Sequence, residues 1–232
     1  MEESKVTLHG FWTSSYVYKV IWALKLKGVP FEYIEEDLRN KSAALLEHNP
    51  VHKKVPVLVH GGKAVAESAV ILEYRRKTWP DSENPLMPAD PSDRALARFR
   101  IDFGQQKMPI FFAFFLSSEE DRENTGEQVL ETLRIIRDEA LLAGKKFFGG
   151  DRIGLVDFSF GWLAHWLEAV QEVVGLRIME QHSLPRLCEW AFSFRQQLVI
   201  KENLPDREKL VACFKQIKGR LQLRGRELQI SS

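Results

Sequence analysis

Cysteine is nearly absent: Cys188 and Cys213 are the only two in 232 residues. Two thiols make no disulfide framework, and their placement matches no metal-binding spacing. An imbalance of charge is missing as well, with 33 Lys and Arg against 32 Asp and Glu. No net field therefore gathers nucleic acid, acidic lipid or polyanionic substrates. Long apolar runs are lacking, and none approaches the roughly 18 residues of a membrane helix. The opening Met-Glu-Glu-Ser-Lys has neither a signal-peptide core nor an Arg-rich presequence. These absences lead to the expectation of a reduced, soluble, intracellular protein, taken as cytoplasmic, with no nucleic-acid partner, no membrane partner and no metal. What is plentiful is apolar bulk, including 15 Phe, 6 Trp and 4 Tyr. That is enough to offset chain entropy and build a sizeable core.

The first eighty residues alternate strand and helix signals. Lys5–Gly10 reads as a strand. Tyr16–Lys27 carries Val17, Val20, Ile21 and Leu24 at amphipathic-helix spacing, with Gly28 as a stop. Phe31–Glu36 alternates as a half-buried strand, and Ser42–His48 is a short helix ended by Asn49-Pro50. Val55–His60 and Lys63–Ala66 flank Gly61-Gly62, a hairpin signal, and Ser68–Trp79 is a helix that Ser68 is placed to cap. The order β-α-β-α-β-β-α describes a thioredoxin-like α/β layer, and without Cys-x-x-Cys it has no dithiol chemistry. Four prolines between Pro80 and Pro91 mark a linker. Beyond it the pattern is helical: Ser92–Leu116, Gly126–Ala143, Val156–Val173, Leu184–Gln197 and Asp206–Gln216. The expected organisation is a thioredoxin-like N-terminal domain (1–80), a linker (81–91) and an all-α helical C-terminal domain (92–232).

Three places in the first domain have the makings of a site. Phe11–Tyr16 is the turn into the first helix, where a hydroxyl sits beside unsatisfied N–H groups and the positive end of a dipole. Such a place stabilises an anion, a thiolate included, although Ser14 or Ser15 could equally serve as a cap. Lys53–Val57 puts Pro56 at a strand start, where it is often cis and leaves its neighbour's backbone free to pair with an extended peptide. Ala66–Ala69 offers a hydroxyl and free amides for a carboxylate, with Glu67 beside them; again a capping Ser68 is the alternative.

Other features read as structural. His48 and His52 are separated by Pro50 and lack a third ligand. Glu35-Glu36-Asp37 reads as a solvated strand end, Arg75-Arg76-Lys77 as an exposed helical face, and Ser118–Asp121 as a helix-start signal. Gly154 and Asp157 have capping-box spacing, flanked by Ile153 and Phe158 as a staple. Phe111, Phe112, Phe114 and Phe115 are too dense for one helix face, so some line a cavity or interface, or the local core is unusually aromatic.

Taken in order, GFWTS (Gly10–Ser14), EEDLRNKS (Glu35–Ser42), NPVHKKVPVLVHGGKAVAES (Asn49–Ser68), ILEY (Ile71–Tyr74) and FFGGDRIGLVDF (Phe147–Phe158) resemble the glutathione S-transferases, and more narrowly the plant tau class. The NPVHKKVPVL block is the most specific. The resemblance implies glutathione as co-substrate, a homodimer, and a role in detoxification and stress response. It places the activating hydroxyl at Ser14 and glutathione contacts at Ser14, Lys41, Lys54, Val55, Glu67 and Ser68, with Pro56 as the cis proline. Val55 would pair with the cysteinyl backbone, Ser68 and Glu67 would serve the γ-glutamyl end, and Lys41 and Lys54 the glycyl carboxylate. Relatives commonly carry Pro and Phe where this chain has Ser15-Tyr16.

The implied reaction is thiolate attack on a small hydrophobic electrophile, with hydroperoxide reduction as a side activity. The electrophile would sit between domains, against Phe11, Met108, Phe111, Phe112, Trp162, Trp166 and Phe214. A non-catalytic carrier of apolar ligands on the same fold is the alternative.

Overall fold

The computed structural model describes residues 5–79, 85–141 and 144–230. The first part of the expected linker (80–84) and the last two residues of the helix expected to reach Ala143 lie outside them. Met1–Leu86 with Gln197–Leu204 forms one compact unit, and Met87–Gln196 with Pro205–Ser232 forms the other.

In the first unit the elements follow the expected order: β1 (Val6–Gly10), α1 (Ser15–Leu26), β2 (Glu32–Glu35), α2 (Ala43–His48), β3 (Val57–His60), β4 (Lys63–Ala66) and α3 (Ser68–Thr78). The strands lie in the order β2-β1-β3-β4, with β1 parallel to β2 and antiparallel to β3, and β3 antiparallel to β4. Alternation along β1 sends Val6 and Leu8 into a core shared with Val17, Val20 and Leu24 of α1, Leu58 of β3 and Ile71 of α3. At the hairpin, Gly61 and Gly62 both have positive φ (54° and 75°), which the two-residue turn demands and glycine meets without steric cost. The β3 ladder begins at Val57, after the cis Val55–Pro56 bond, because Pro56 has no N–H to contribute.

Arg75 departs from the expected exposed face. It lies one turn beyond Ile71 and Leu72 on the buried stripe of α3, and is only 1% exposed. Burial, with Arg76 adding to it, pushes the Arg75 guanidinium down to about 10. Arg76 pairs with Glu73 at 3.1 Å, and Lys77 alone of the three is exposed. A second correction concerns the domain limits. The short helix α10 (Leu198–Lys201) packs on α1 and buries Ile200, so the helical domain is not continuous over 92–232.

The second unit contains α4 (Pro91–Gln106), α5 (Met108–Leu116), α6 (Arg122–Ile135), α7 (Leu155–Phe160), α8 (Trp166–Val174), α9 (Pro185–Arg195) and α11 (Arg207–Ile230). The end of the expected linker already belongs to it: Met87 is buried, and Asp90 caps α4 by accepting from the N–H groups of Ser92 (2.8 Å) and Asp93 (3.0 Å). The single helix expected over 92–116 is two helices, since Pro109 cannot continue the hydrogen-bond ladder of α4. The helix expected over 156–173 is broken by a 3-10 turn at Gly161–Ala164 and by His165, whose Nε2–H donates to the Pro205 carbonyl at 2.9 Å. Of the four phenylalanines in α5, Phe111, Phe114 and Phe115 are buried and Phe112 is 55% exposed. The run thus divides between three core aromatics and one ring with free surface.

Asp157 organises the middle of this unit. The capping box is one-sided, because Gly154 has no side-chain oxygen to return a bond. Asp157 Oδ2 accepts the Gly154 N–H at 2.8 Å, while Oδ1 accepts the Phe148 N–H at 3.0 Å and the Trp190 indole N–H at 2.8 Å. One buried carboxylate thus joins the turn before α7, the start of α7 and α9. Around these residues Phe148 and Phe160 stack on each other at 4.8 Å, and Phe148 meets Trp190 edge-on at 4.9 Å.

Burial raises the Asp157 carboxyl to about 6, against its hydrogen bonds, which favour the ionised form. The unfolded chain has the ordinary 3.8, so this group's contribution is complete below about pH 4 and falls away as pH rises through 6, by about 3 kcal/mol. Urea titrations between pH 4 and 7 should show that slope in the parent and its loss in Asp157→Asn. Asp157→Ala orphans three donors and should cost about 2–4 kcal/mol at any pH in that range. An unchanged melt would remove Asp157 from this role.

Candidate functional site

Three loops of the first unit carry the candidate residues. In the turn from β1 to α1, the Ser14 N–H closes on the Phe11 carbonyl at 2.9 Å. The Ser14 carbonyl accepts the first two helical bonds, from Val17 (2.9 Å) and Tyr18 (3.2 Å). Ser14 thus stands at the N-cap position, yet its hydroxyl makes no capping hydrogen bond. The capping alternative for Ser14 is not what the structure adopts. The hydroxyl and the first amides of a 12-residue helix remain for something else, at the positive end of the dipole. Ser15 is the first helical residue.

The second loop is pinned by Asn49, which in the sequence reads only as a helix end. Asn49 is buried; its side-chain amide donates to the Lys54 carbonyl (3.0 Å) and its Oδ1 accepts the His52 N–H (3.2 Å). Its backbone carbonyl takes the Lys53 N–H at 2.9 Å. This fixes the approach to Val55 and the cis Val55–Pro56 bond. The Lys54 side chain is exposed, and that of Lys41, next to α2, is half-buried.

At the third loop, Glu67 has φ 69°, a left-handed conformation that costs a side-chain-bearing residue energy and is characteristic of constrained sites. It precedes α3 without capping it. Ser68 is the first helical residue and buried, not the cap expected for it. The N–H groups opening this 11-residue helix are left without a side-chain cap, an arrangement suited to a carboxylate.

The charge of Glu67 reaches α1. It acts on Tyr16, whose pKa is raised by burial and then by Glu67, and on Lys19. Lys19 is a residue the sequence reading missed. It is 3% exposed, with its ammonium 4.7 Å from the Tyr16 ring centroid. Burial pushes it down to about 8, Glu67 working in the opposite direction. Lysine one turn after Tyr16 on an amphipathic helix was the available signal. Glu36, expected at a solvated strand end, is also buried.

The apolar set expected from the second unit divides. Phe111 and Trp162 meet edge-to-face at 4.4 Å, and both are buried, as is Trp166. Phe112 is exposed, while Met108 and Phe214 are half-buried, Phe214 lying 5.5 Å from Phe115. In the first unit Phe11 is half-buried in the Ser14 turn. Among the described residues no group of three or more His, Cys, Asp or Glu is placed to hold a metal, and no helix is long and apolar enough to cross a membrane.

Two family models match the chain: glutathione S-transferase, N-terminal domain, over residues 4–75, and glutathione S-transferase, C-terminal domain, over 119–191. Glutathione transferase GST 23 of Zea mays is 47% identical over 222 residues, covering 93% of this chain and 96% of the relative. Glutathione S-transferase U8 of Arabidopsis thaliana is 41% identical over 220 residues, 94% of this chain and 97% of the relative. Among solved structures, a tau-class glutathione S-transferase from mango, Mangifera indica, superposes with a TM-score of 0.84 at 37% identity, over 91% of this chain and 97% of that one. A rice glutathione transferase in complex with glutathione gives 0.84 at 33%, over 95% and 99%.

Holding Lys19 charged in a buried place has a stability cost that is full below about pH 8. It disappears as pH approaches 10.5, where the unfolded chain also loses the proton. Lys19→Met should therefore be more stable than the parent at pH 7, by up to about 3 kcal/mol, with the gap closing toward pH 10. Chemical denaturation at the two pH values measures this; a gap that does not narrow would contradict it.

Proposed function

From a chain that belongs to the glutathione S-transferase family, and is a tau-class glutathione transferase, we propose that Ser14 keeps the glutathione sulfur ionised for attack on hydrophobic electrophiles. The observation that carries this reading is the Ser14 hydroxyl, placed at a helix start and not engaged in capping it. A free thiol with pKa about 8.5 is only a few per cent ionised at neutral pH. Lowering that value by about two units takes roughly 2.7 kcal/mol. One charge-assisted hydrogen bond from Ser14 Oγ–H together with the α1 dipole has that size. Ser14 is in this reading a donor to the nucleophile and forms no bond with the electrophile.

The remaining contacts follow the chemistry of the loops. The uncapped start of α3, with Ser68 and Glu67, takes the γ-glutamyl end, its amides receiving the carboxylate and Glu67 the ammonium. Val55, ahead of the cis Pro56, pairs its backbone with the cysteinyl residue as a strand would. Lys41 and Lys54 serve the glycyl carboxylate. On the second unit the electrophile rests on apolar side chains with free surface, Met108, Phe112 and Phe214, and burying one aromatic ring contributes roughly 2–3 kcal/mol. Phe111, Trp162 and Trp166 act behind them as supports.

The same thiolate suits reduction of organic hydroperoxides as a side activity. Exposed apolar side chains such as Val51, Val70 and Phe99 support a homodimer. Neither Cys188 nor Cys213 is in a disulfide, which supports a reducing, cytosolic setting, and conjugation of hydrophobic electrophiles suits a role in detoxification under stress.

Ser14→Ala should lower conjugation of a chlorodinitrobenzene at pH 7 by about tenfold or more and return the bound thiol to a pKa near 8.5. Glutathione affinity should stay within a few-fold. Ser15→Ala should change little. Thiolate absorbance of the liganded protein, titrated against pH, measures the effect directly; a larger loss in Ser15→Ala would transfer the role to that residue.

A further inference from the structure

The loops bearing Ser14 and Lys41 both converge on the acidic pair that ends β2. Glu36 is 2% exposed, and its carboxylate is surrounded by donors: His9 Nδ1 at 2.7 Å, Ser42 Oγ at 2.8 Å and the Ser42 N–H at 3.1 Å. Ser42 Oγ in turn accepts the Leu45 N–H at 3.0 Å, so its proton is committed to Glu36 and its lone pair to α2. The Ser42 N–H belongs to the peptide bond joining Lys41 to Ser42, so Glu36 grips the backbone at the point where the Lys41 side chain leaves it. Burial works to raise the Glu36 pKa, but the bonds from His9 and Ser42 outweigh it and hold the carboxyl below its ordinary value. His9 lies on the central strand β1, five residues before Ser14.

Glu35, adjacent in sequence, serves the other loop. Its Oε1 accepts the Trp12 N–H at 3.1 Å, two residues before Ser14, and its Oε2 accepts the Tyr33 hydroxyl at 2.8 Å. Tyr33 can stand there because Gly10 has no side chain: a Cβ at Gly10 would lie 2.6 Å from the Tyr33 ring and 2.7 Å from its oxygen. The Glu36 N–H bonds the Gly10 carbonyl at 2.8 Å, extending the β1–β2 ladder, so both carboxylates start from a fixed point of the sheet.

We propose that Glu35 and Glu36 are positioning residues of the glutathione site. Glu36 sets the Lys41 backbone through Ser42 and His9, and Glu35 sets the Ser14 turn through Trp12. The proposal rests on the reading that Lys41 binds the tripeptide and Ser14 activates its sulfur. The two arms differ in kind. A contact to the glycyl end is equal in ground and transition states and acts on KM, whereas the Ser14 bond governs ionisation and acts on kcat and its pH dependence.

Steady-state conjugation of a chlorodinitrobenzene with varied glutathione, on the full chain, tests both arms, with Lys41→Ala and Ser14→Ala as references. Glu36→Ala should raise KM for glutathione about tenfold with kcat within about twofold, the equivalent of one or two lost hydrogen bonds. Ser42→Ala retains the His9–Glu36 pair and provides the same test should Glu36→Ala fold poorly. It should raise KM about threefold, and Ser42→Thr should restore it. Glu35→Ala should lower kcat and move the pH–rate midpoint upward with little change in KM, and Glu35→Gln, which keeps an acceptor for Trp12, should recover most of the loss. If Lys41→Ala raises KM but Glu36→Ala and Ser42→Ala do not, the positioning role of Glu36 is overturned and the Lys41 reading survives. The Glu35 arm is overturned in the same way if Ser14→Ala moves the pH midpoint and Glu35→Ala does not. If the Lys41→Ala and Ser14→Ala references themselves have no such effects, the underlying site assignment fails and the proposal with it. Losses of kcat and KM that merely track melting temperature in every variant would reduce the pair to structural ballast.

Discussion

A helix that begins without a side-chain cap leaves amide N–H groups that must find partners elsewhere, and the first unit is arranged around two such beginnings. At α1 the natural capping residue, Ser14, is present and does not cap. At α3 the cap position is held by Glu67 in a left-handed conformation, with Ser68 already inside the helix. Both omissions would be defects in a purely structural helix, each forgoing about 1 kcal/mol. In the proposed reading the missing partners are the anionic groups of a ligand: a sulfur at one helix and a carboxylate at the other. The sheet and its loops serve to bring these two ends into use, through the cis Val55–Pro56 bond and the Asn49 pin on one side and the Glu35–Glu36 pair on the other.

Charge is placed inside this protein in four distinct ways. Asp157 is surrounded by three donors yet remains so desolvated that its carboxyl titrates near 6. Glu36 has a similar set of partners but stays ionised below the usual range, because its bonds outweigh its burial. Lys19 lies against an aromatic face, and burial lowers its affinity for the proton despite the opposing field of Glu67. Arg75 is buried because helical spacing leaves it no other face. The sign of each shift follows from whether hydrogen bonds to the charged form exceed the cost of removing it from water. Only in Glu36 do they win.

Much of this was legible in the linear chain, for identifiable reasons. Period-two and period-3.6 patterns depend on nearest neighbours, so β1 through α3 were read in the right order and within a residue or two. Gly61-Gly62 and Pro56 declare themselves because their backbones have few alternatives. The family motif in Asn49–Ser68 is dense enough to identify the family without coordinates. The failures also share a cause. Residue type argues for water at Glu36 and Arg75, and only the packing around them says otherwise. The helix over 92–116 was overextended because an apolar run through Met108-Pro109 continues the periodic signal even as Pro109 interrupts the hydrogen bonding.

Element order, turn types and the family were determined by the sequence alone, since each rests on local stereochemistry or on a contiguous motif. Tertiary structure alone decided that the Ser14 hydroxyl is not spent on capping, that Asn49 holds the Lys54 loop, and that Asp157 reaches Trp190 across 33 positions. It also decided that α10 leaves the helical unit to pack on α1. The physical reason is common to all four: a polar group's partner, or an apolar group's cover, is chosen by proximity in space. Sequence separation has no part in that choice.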